Sequence, residues 1–276
     1  MFVPVSFLYS YQNMEEYMEI DLYIVDSFTD TLFRGNPAAV CVLKEWLPDD
    51  TLQKIARENN LSETAFFVAQ EQQPLLRWFT PKAEIDLCGH ATLAAGSIAL
   101  NFLRPKDSQI TFNSQSGPLM VSRSAGGFTL EFPRRDPEVV DAPQALFEAL
   151  GITKGAVFYA RDWFVVLDSE DEVAAIRPNL PLLRELDGLG VVVTAPGRRS
   201  DFVSRAFFPK IGIDEDPVTG ATHCALTPYW SERLGKSNLF ARQLSERGGE
   251  ITCQLKESTV LLSGATRLFS RGEIIF

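Results

Sequence analysis

The chain has 276 residues, room for one large domain or two of moderate size, and its 45% hydrophobic and 22% charged content is that of a folded globular protein. A formal net charge of -10 leaves no basic footprint for a nucleic-acid partner. No apolar run approaches the ~18 residues of a membrane span, and the N-terminus lacks the basic segment and cleavage site of a signal peptide.

Residues 1–18 read as an N-terminal extension, with Met18 as an alternative start. "IDLYIVDSF" (20–28) alternates as a strand does, and "RGNPAAVCVL" (34–43) is a turn entering a second strand. "PDDTLQKIARENN" (48–60) has the acidic start and Asn-Asn end of a helix. "SETAFFVAQ" and "PLLRWFTPK" read as strands. "ATLAAGSIALNFL" (91–103) reads as a helix that is apolar on every side and so buried all round. "GFTLEFPRRDPE" ends a strand and turns polar, which makes the stretch near residue 133 a linker. A second series follows: a short helix in "APQALFEALG", strands in "AVFYA" and "DWFVVLD", and a proline-broken helix in "DEVAAIRPNLPLLREL". Strands in "GVVVTAPG" and "SDFVSRAFFPKIGI" come next, then a second apolar helix over 221–235.

Both apolar helices are entered from a glycine. Placing Gly89 on Gly220 sets Cys88 on Thr219, and an aspartate precedes each glycine, Asp86 and Asp216. Each half thus reads as strands, an acidic turn, a glycine and a buried helix, an internal duplication at the level of architecture.

These helix starts bear on chemistry. Their unpaired backbone N–H groups and dipoles favour an anion. If the halves face each other, both starts point into one cleft and hold a small carboxylate. The other reading is that Gly89 and Gly220 only permit tight turns. His90 reads as a proton-transfer or substrate-orienting group, or as a capping or solvent-facing histidine. His223 reads equally as functional or as a packed core histidine. Glu63, at the mouth of an apolar strand, is either solvent-facing or a general acid/base with apolar surroundings. Asp216 precedes a proline and a helix start, where a turn or cap aspartate is common.

Cys41, Cys88, Cys224 and Cys253 stand far apart with no CxxC pair, which indicates neither a zinc site nor a disulfide framework. A reduced, cytoplasmic setting fits. No dinucleotide or phosphate loop occurs, so no metal and no cofactor are expected.

Taken in order, "VDSFTDTLFRGNPAAVCVL", "LSETAFF", "RWFTPKAEIDLCGHATLAA", "EDPVTGATHCALTPYW" and "RGGEI" resemble the PhzF-like isomerases. The likeness runs from Met18 onward. It implies an α+β fold similar to diaminopimelate epimerase: two pseudo-duplicated halves, each a barrel-like sheet around a central helix. The first half would be residues 19–133 plus a returning C-terminal strand, 266–276, and the second 134–265. The resemblance implies Glu63 as acid/base, with His90 and Asp216 assisting. It places substrate at Asn36, Cys88, Gly89, Thr219, Gly220 and Ala221. It implies a homodimer acting on a small carboxylated substrate without a cofactor. Related epimerases use one thiol from each half; here Thr219 stands opposite Cys88, which disfavours that chemistry. The family commonly has serine where Ala221 stands. The remaining alternatives are a racemase or epimerase using Cys88, and a scaffold that binds a metabolite or protein without turnover.

Overall fold

The computed structural model describes residues 18–275, and the expected N-terminal extension lies outside them except for Met18. The chain first forms β1 (Glu19–Ser27), β2 (Asn36–Leu43), α1 (Asp49–Asn59), β3 (Glu63–Val68), β4 (Leu76–Phe79), β5 (Glu84–Ile85) and α2 (Gly89–Ile98). Strands β6 (Gln109–Phe112), β7 (Leu119–Ser124) and β8 (Gly127–Pro133) follow. Next come β9 (Glu138–Val139), α3 (Gln144–Leu150), β10 (Ala156–Tyr159), β11 (Trp163–Val166), α4 (Glu170–Ala175) and α5 (Leu180–Glu185). The series ends with β12 (Val191–Pro196), β13 (Phe202–Phe208), β14 (Ile213–Asp216), α6 (Gly220–Leu234), β15 (Asn238–Gln243), β16 (Gly249–Leu255), β17 (Thr259–Gly264) and β18 (Thr266–Ile275).

The duplication is visible in the strand pairing. β1 and β2 are antiparallel, β2 and β3 parallel across α1, and β3, β4 and β5 antiparallel before α2. β10 and β11 are antiparallel, β11 and β12 parallel across α4 and α5, and β12, β13 and β14 antiparallel before α6. Three antiparallel strands follow each central helix, β6–β8 and β15–β17. The first of each trio returns in parallel to the earlier strands: β15 along β13, and Asn113 to Leu75 by a single bridge. The halves join where β8 pairs with β17, and β18 pairs with β1 from Glu19–Ile275 to Ser27–Thr266. The fold class is α+β in two related halves, as the sequence implies.

Every residue of α2 is buried. Its small side chains allow this: a Cβ on Gly96 would come within 2.5 Å of the Val121 side chain, so the helix lies tight against β7. The expected helix over 91–103 begins two residues earlier, and its end widens into a π turn, Ala99–Leu103. α1 buries one face through Leu52, Ile55 and Ala56, and stops at Asn60, whose φ of 49° takes the left-handed conformation. Among the described residues no helix is long and apolar enough to cross a membrane.

Candidate active site

α2 and α6 meet end to end. A Cβ built on Gly89 would lie 3.4 Å from the Gly220 Cα, and one on Gly220 would lie 3.6 Å from the Gly89 Cα. Those are ordinary van der Waals distances, and neither glycine has a positive φ. So neither tight turns nor crowding demands these glycines. What they provide is an open floor where two helix N-termini face the same space. That space is a cavity of about 520 Å³ whose lining includes Glu63, Cys88, His90, Asp216, Gly220 and Ala221.

Glu63 is only 5% exposed, because β3 is a central strand with all six residues buried. The solvent-facing reading of Glu63 therefore fails. Its Oε2 lies 3.1 Å from His90 Nε2. The two atoms are close enough for an ion pair but misaligned for a hydrogen bond, so both are buried without a hydrogen-bond partner. His90 is itself 4% exposed, in the first turn of α2, which corrects the solvent-facing alternative. Its Nδ1 lies 3.5 Å from Cys88 Sγ and 3.1 Å from Asn36 Nδ2.

Asn36 is fully buried at the start of β2. Its Nδ2 lies 2.7 Å from Asp216 Oδ1 and 3.0 Å from the Val218 carbonyl, which take its two hydrogens. No hydrogen then remains for His90 Nδ1, so that nitrogen donates its own to Cys88 Sγ. Asn36 is not among the residues that line the cavity, and its amide is held by Asp216 and the Val218 carbonyl. Asp216 Oδ2 accepts from the Thr219 hydroxyl at 2.5 Å. Gln243 completes the support: its Nε2 donates to the Asp216 carbonyl at 2.7 Å, and its Oε1 accepts the Thr219 N–H at 2.9 Å. Both hydrogen-bond donors of Thr219 are therefore engaged within the protein. At the second helix start, Gly220 and Ala221 are left to supply backbone donors.

Burial pushes the Cys88 thiol up to about 11, with the Glu63 carboxylate adding to the effect. Burial works to lower the His90 pKa, but the facing Cys88 sulfur and Glu63 carboxylate outweigh it and raise the value well above the usual histidine range. Burial raises Asp216 to about 6, opposed by the His90 charge and by the Thr219 and Asn36 hydrogen bonds.

His223 resolves as a core residue. It is fully buried, its Nδ1 donates to the Thr219 carbonyl at 2.8 Å, and burial lowers its pKa to about 4. Sequence reasoning missed Gln243. The alternation along β15 carries the signal: Leu239, Ala241 and Gln243 all face inward, and a glutamine in that row needs polar partners.

Glu63, Cys88 and His90 place three donor atoms within 4.8 Å of one another. The arrangement does not suit a single metal ion. His90 turns Nε2 to Glu63 and Nδ1 to Cys88, whereas one ion would need a single ring nitrogen facing both. The thiol would also have to lose a proton held to about 11.

Comparisons with known proteins agree with this architecture. Residues 25–272 match the phenazine biosynthesis-like protein family, PhzC-PhzF. A Pseudomonas aeruginosa protein named an uncharacterized isomerase is 46% identical over 93% of this chain and 99% of its own length. The crystal structure of a PhzF-family phenazine biosynthesis protein from Enterococcus faecalis superimposes with a TM-score of 0.90 at 49% identity, covering 93% of this chain and 99% of the other. A hydroxyproline epimerase from Agrobacterium vitis, 10% identical over 93% of this chain and 92% of its own, shares the fold alone with a TM-score of 0.62. With the match spanning nearly all the described residues, the chain belongs to the phenazine biosynthesis-like protein family, in which close relatives are named isomerases.

Proposed function

We propose that the chain is a cofactor-independent isomerase that moves a proton on a small carboxylic acid, with Glu63 as the acid/base. The observation that carries this reading is the buried pair Glu63 Oε2 and His90 Nε2, 3.1 Å apart, which border the cavity and have no hydrogen-bond partner beyond this contact with each other. Buried polar groups are normally satisfied, and an exception at the wall of a cleft is suited to act on what enters.

The substrate carboxylate sits at the starts of α2 and α6. Charge that develops on it when a carbon-bound proton leaves is stabilised by the N–H groups and dipoles already aimed there. Glu63 takes the proton from one carbon and returns it to another. His90, cationic beside it, offsets the negative charge of the site, and Asp216, fixed by Asn36 and Thr219, keeps the second helix start in register.

Cys88 is a poorer base candidate. Its thiol is held protonated by burial, and the threonine across the cleft spends its hydroxyl on Asp216. The test is incorporation of solvent deuterium into a panel of small unsaturated and amino acids. Incorporation by the native protein, lost in Glu63→Gln, supports the reading. No incorporation into any acid that binds would favour a non-catalytic scaffold.

A further inference from the structure

The cavity lining carries charges of both signs. Among the Lys and Arg residues described, only Arg161 lines it. Arg161 sits in the turn between β10 and β11, and with Ala221 it also lines a second, smaller cavity that Arg135 and Asp162 help to enclose. The backbone N–H of Arg135 is bonded to the Cys224 carbonyl, which fixes that residue beside α6. The lining also includes Glu84 and Asp86. Glu84 is neutralised by Arg77 through two hydrogen bonds of 2.7 Å, which leaves Asp86 as the charge that repels an anion there.

Asp162 does not use up the Arg161 guanidinium. Nε and Nη2 both contact the same oxygen, Oδ2, at 3.3 Å, and the parallel two-oxygen grip is absent. The other oxygen, Oδ1, is buried without a hydrogen-bond partner, although Asp162 is only 7% exposed. The Arg161 side chain remains 33% exposed and so has donors to offer. Ala221 borders both cavities, and Arg135 and Arg161 both line the smaller one together with Asp162.

We propose that the substrate is a dianion, with one carboxylate at the paired helix starts and a second acidic group passing Ala221 to end against Arg161. Arg135 adds positive charge behind it. This deepens the acid-isomerase reading above and rests on it. The same charges favour one orientation of the substrate, since Asp86 repels the second anion and Arg161 attracts it.

The test is calorimetric titration with dicarboxylates of four to six carbons, succinate to adipate, each against the monocarboxylate of equal length. At its best-fitting length the dicarboxylate is expected to bind about 10–100-fold tighter, as a charge-assisted hydrogen-bonded pair would give. Arg161→Gln should erase that advantage, costing the dicarboxylate far more affinity than the monocarboxylate of equal length, and Arg161→Lys should restore part of it. Equal binding of both classes by the native protein, or a preference that survives in Arg161→Gln, overturns the dianion proposal and leaves the acid-isomerase reading standing. Failure of every acid to bind overturns both.

Discussion

Asn36 and Asp216 lie 180 positions apart in the chain, yet their side chains meet at 2.7 Å. One amide thereby ties the strand beside the first helix to the loop that starts the second. Asn36→Ala removes this donor and leaves the Asp216 carboxylate buried with one hydrogen bond fewer. We expect a stability loss of about 1–3 kcal/mol. A carboxylate that loses a hydrogen bond is also easier to protonate, so the acidic limb of the deuterium-exchange rate should move to higher pH. A pH profile identical to the native one would refute the linkage.

Two buried groups make folding stability respond to pH in opposite directions. Burial holds His223 down to about 4 from an ordinary 6.5, so its contribution is complete above 6.5 and is lost as pH falls toward 4. Asp216 is raised to about 6 from 3.8, so its contribution is complete below 3.8 and fades as pH rises through 6. Each is on the order of 3 kcal/mol and the two oppose between about 4 and 6. Urea unfolding across that window should show stability rising more steeply with pH in Asp216→Asn than in the native chain, and less steeply in His223→Gln. Parallel curves for all three proteins would contradict the assignment.

Gly220 separates stability from function. The nearest atoms a Cβ there would meet belong to Gly89, Phe28 and Leu262, at 3.6–3.9 Å, so Gly220→Ala should fold normally. The added methyl nevertheless occupies the floor between the helix starts. Acid binding should weaken by about tenfold or more, equivalent to ~1.4 kcal/mol. An unchanged melting temperature together with unchanged binding would move the acid elsewhere.

For Cys88 the expectation is inertness. With its thiol pushed up to about 11, alkylation at neutral pH should be slow and should quicken with pH. Cys88→Ala should lose less exchange activity than the ~10² that marks removal of a proton-transfer group, whereas Glu63→Gln should lose ~10²–10⁴. The reverse order would hand the acid/base role to the sulfur.

Much of this was legible in local sequence. The apolar runs after Gly89 and Gly220 announced two buried helices, and a carboxylate opening the strand of Glu63 stood out against its neighbours. Long-range consequences were hidden. Nothing near Asn36 reveals that its amide is needed 180 positions later, and nothing near Arg161 reveals that it faces the cavity. His223 sits one turn inside α6, where a ligand and a core residue look alike in sequence. Its burial and its bond to the Thr219 carbonyl settle the matter. The Thr219 hydroxyl, aligned with a thiol position, is explained only by its bond to Asp216.

The pairing of Glu19 with Ile275 has a consequence for how the protein is made. β1 leaves the ribosome well before β18, the strand that covers its outer edge, has been synthesised. Until then a nine-residue row of backbone donors and acceptors stands open beside β2. Such an edge invites pairing with other nascent chains, and contacts so distant in sequence form slowly. The interval between synthesis of β1 and release of β18 is therefore when this chain most needs a chaperone, and slowing translation would lengthen it.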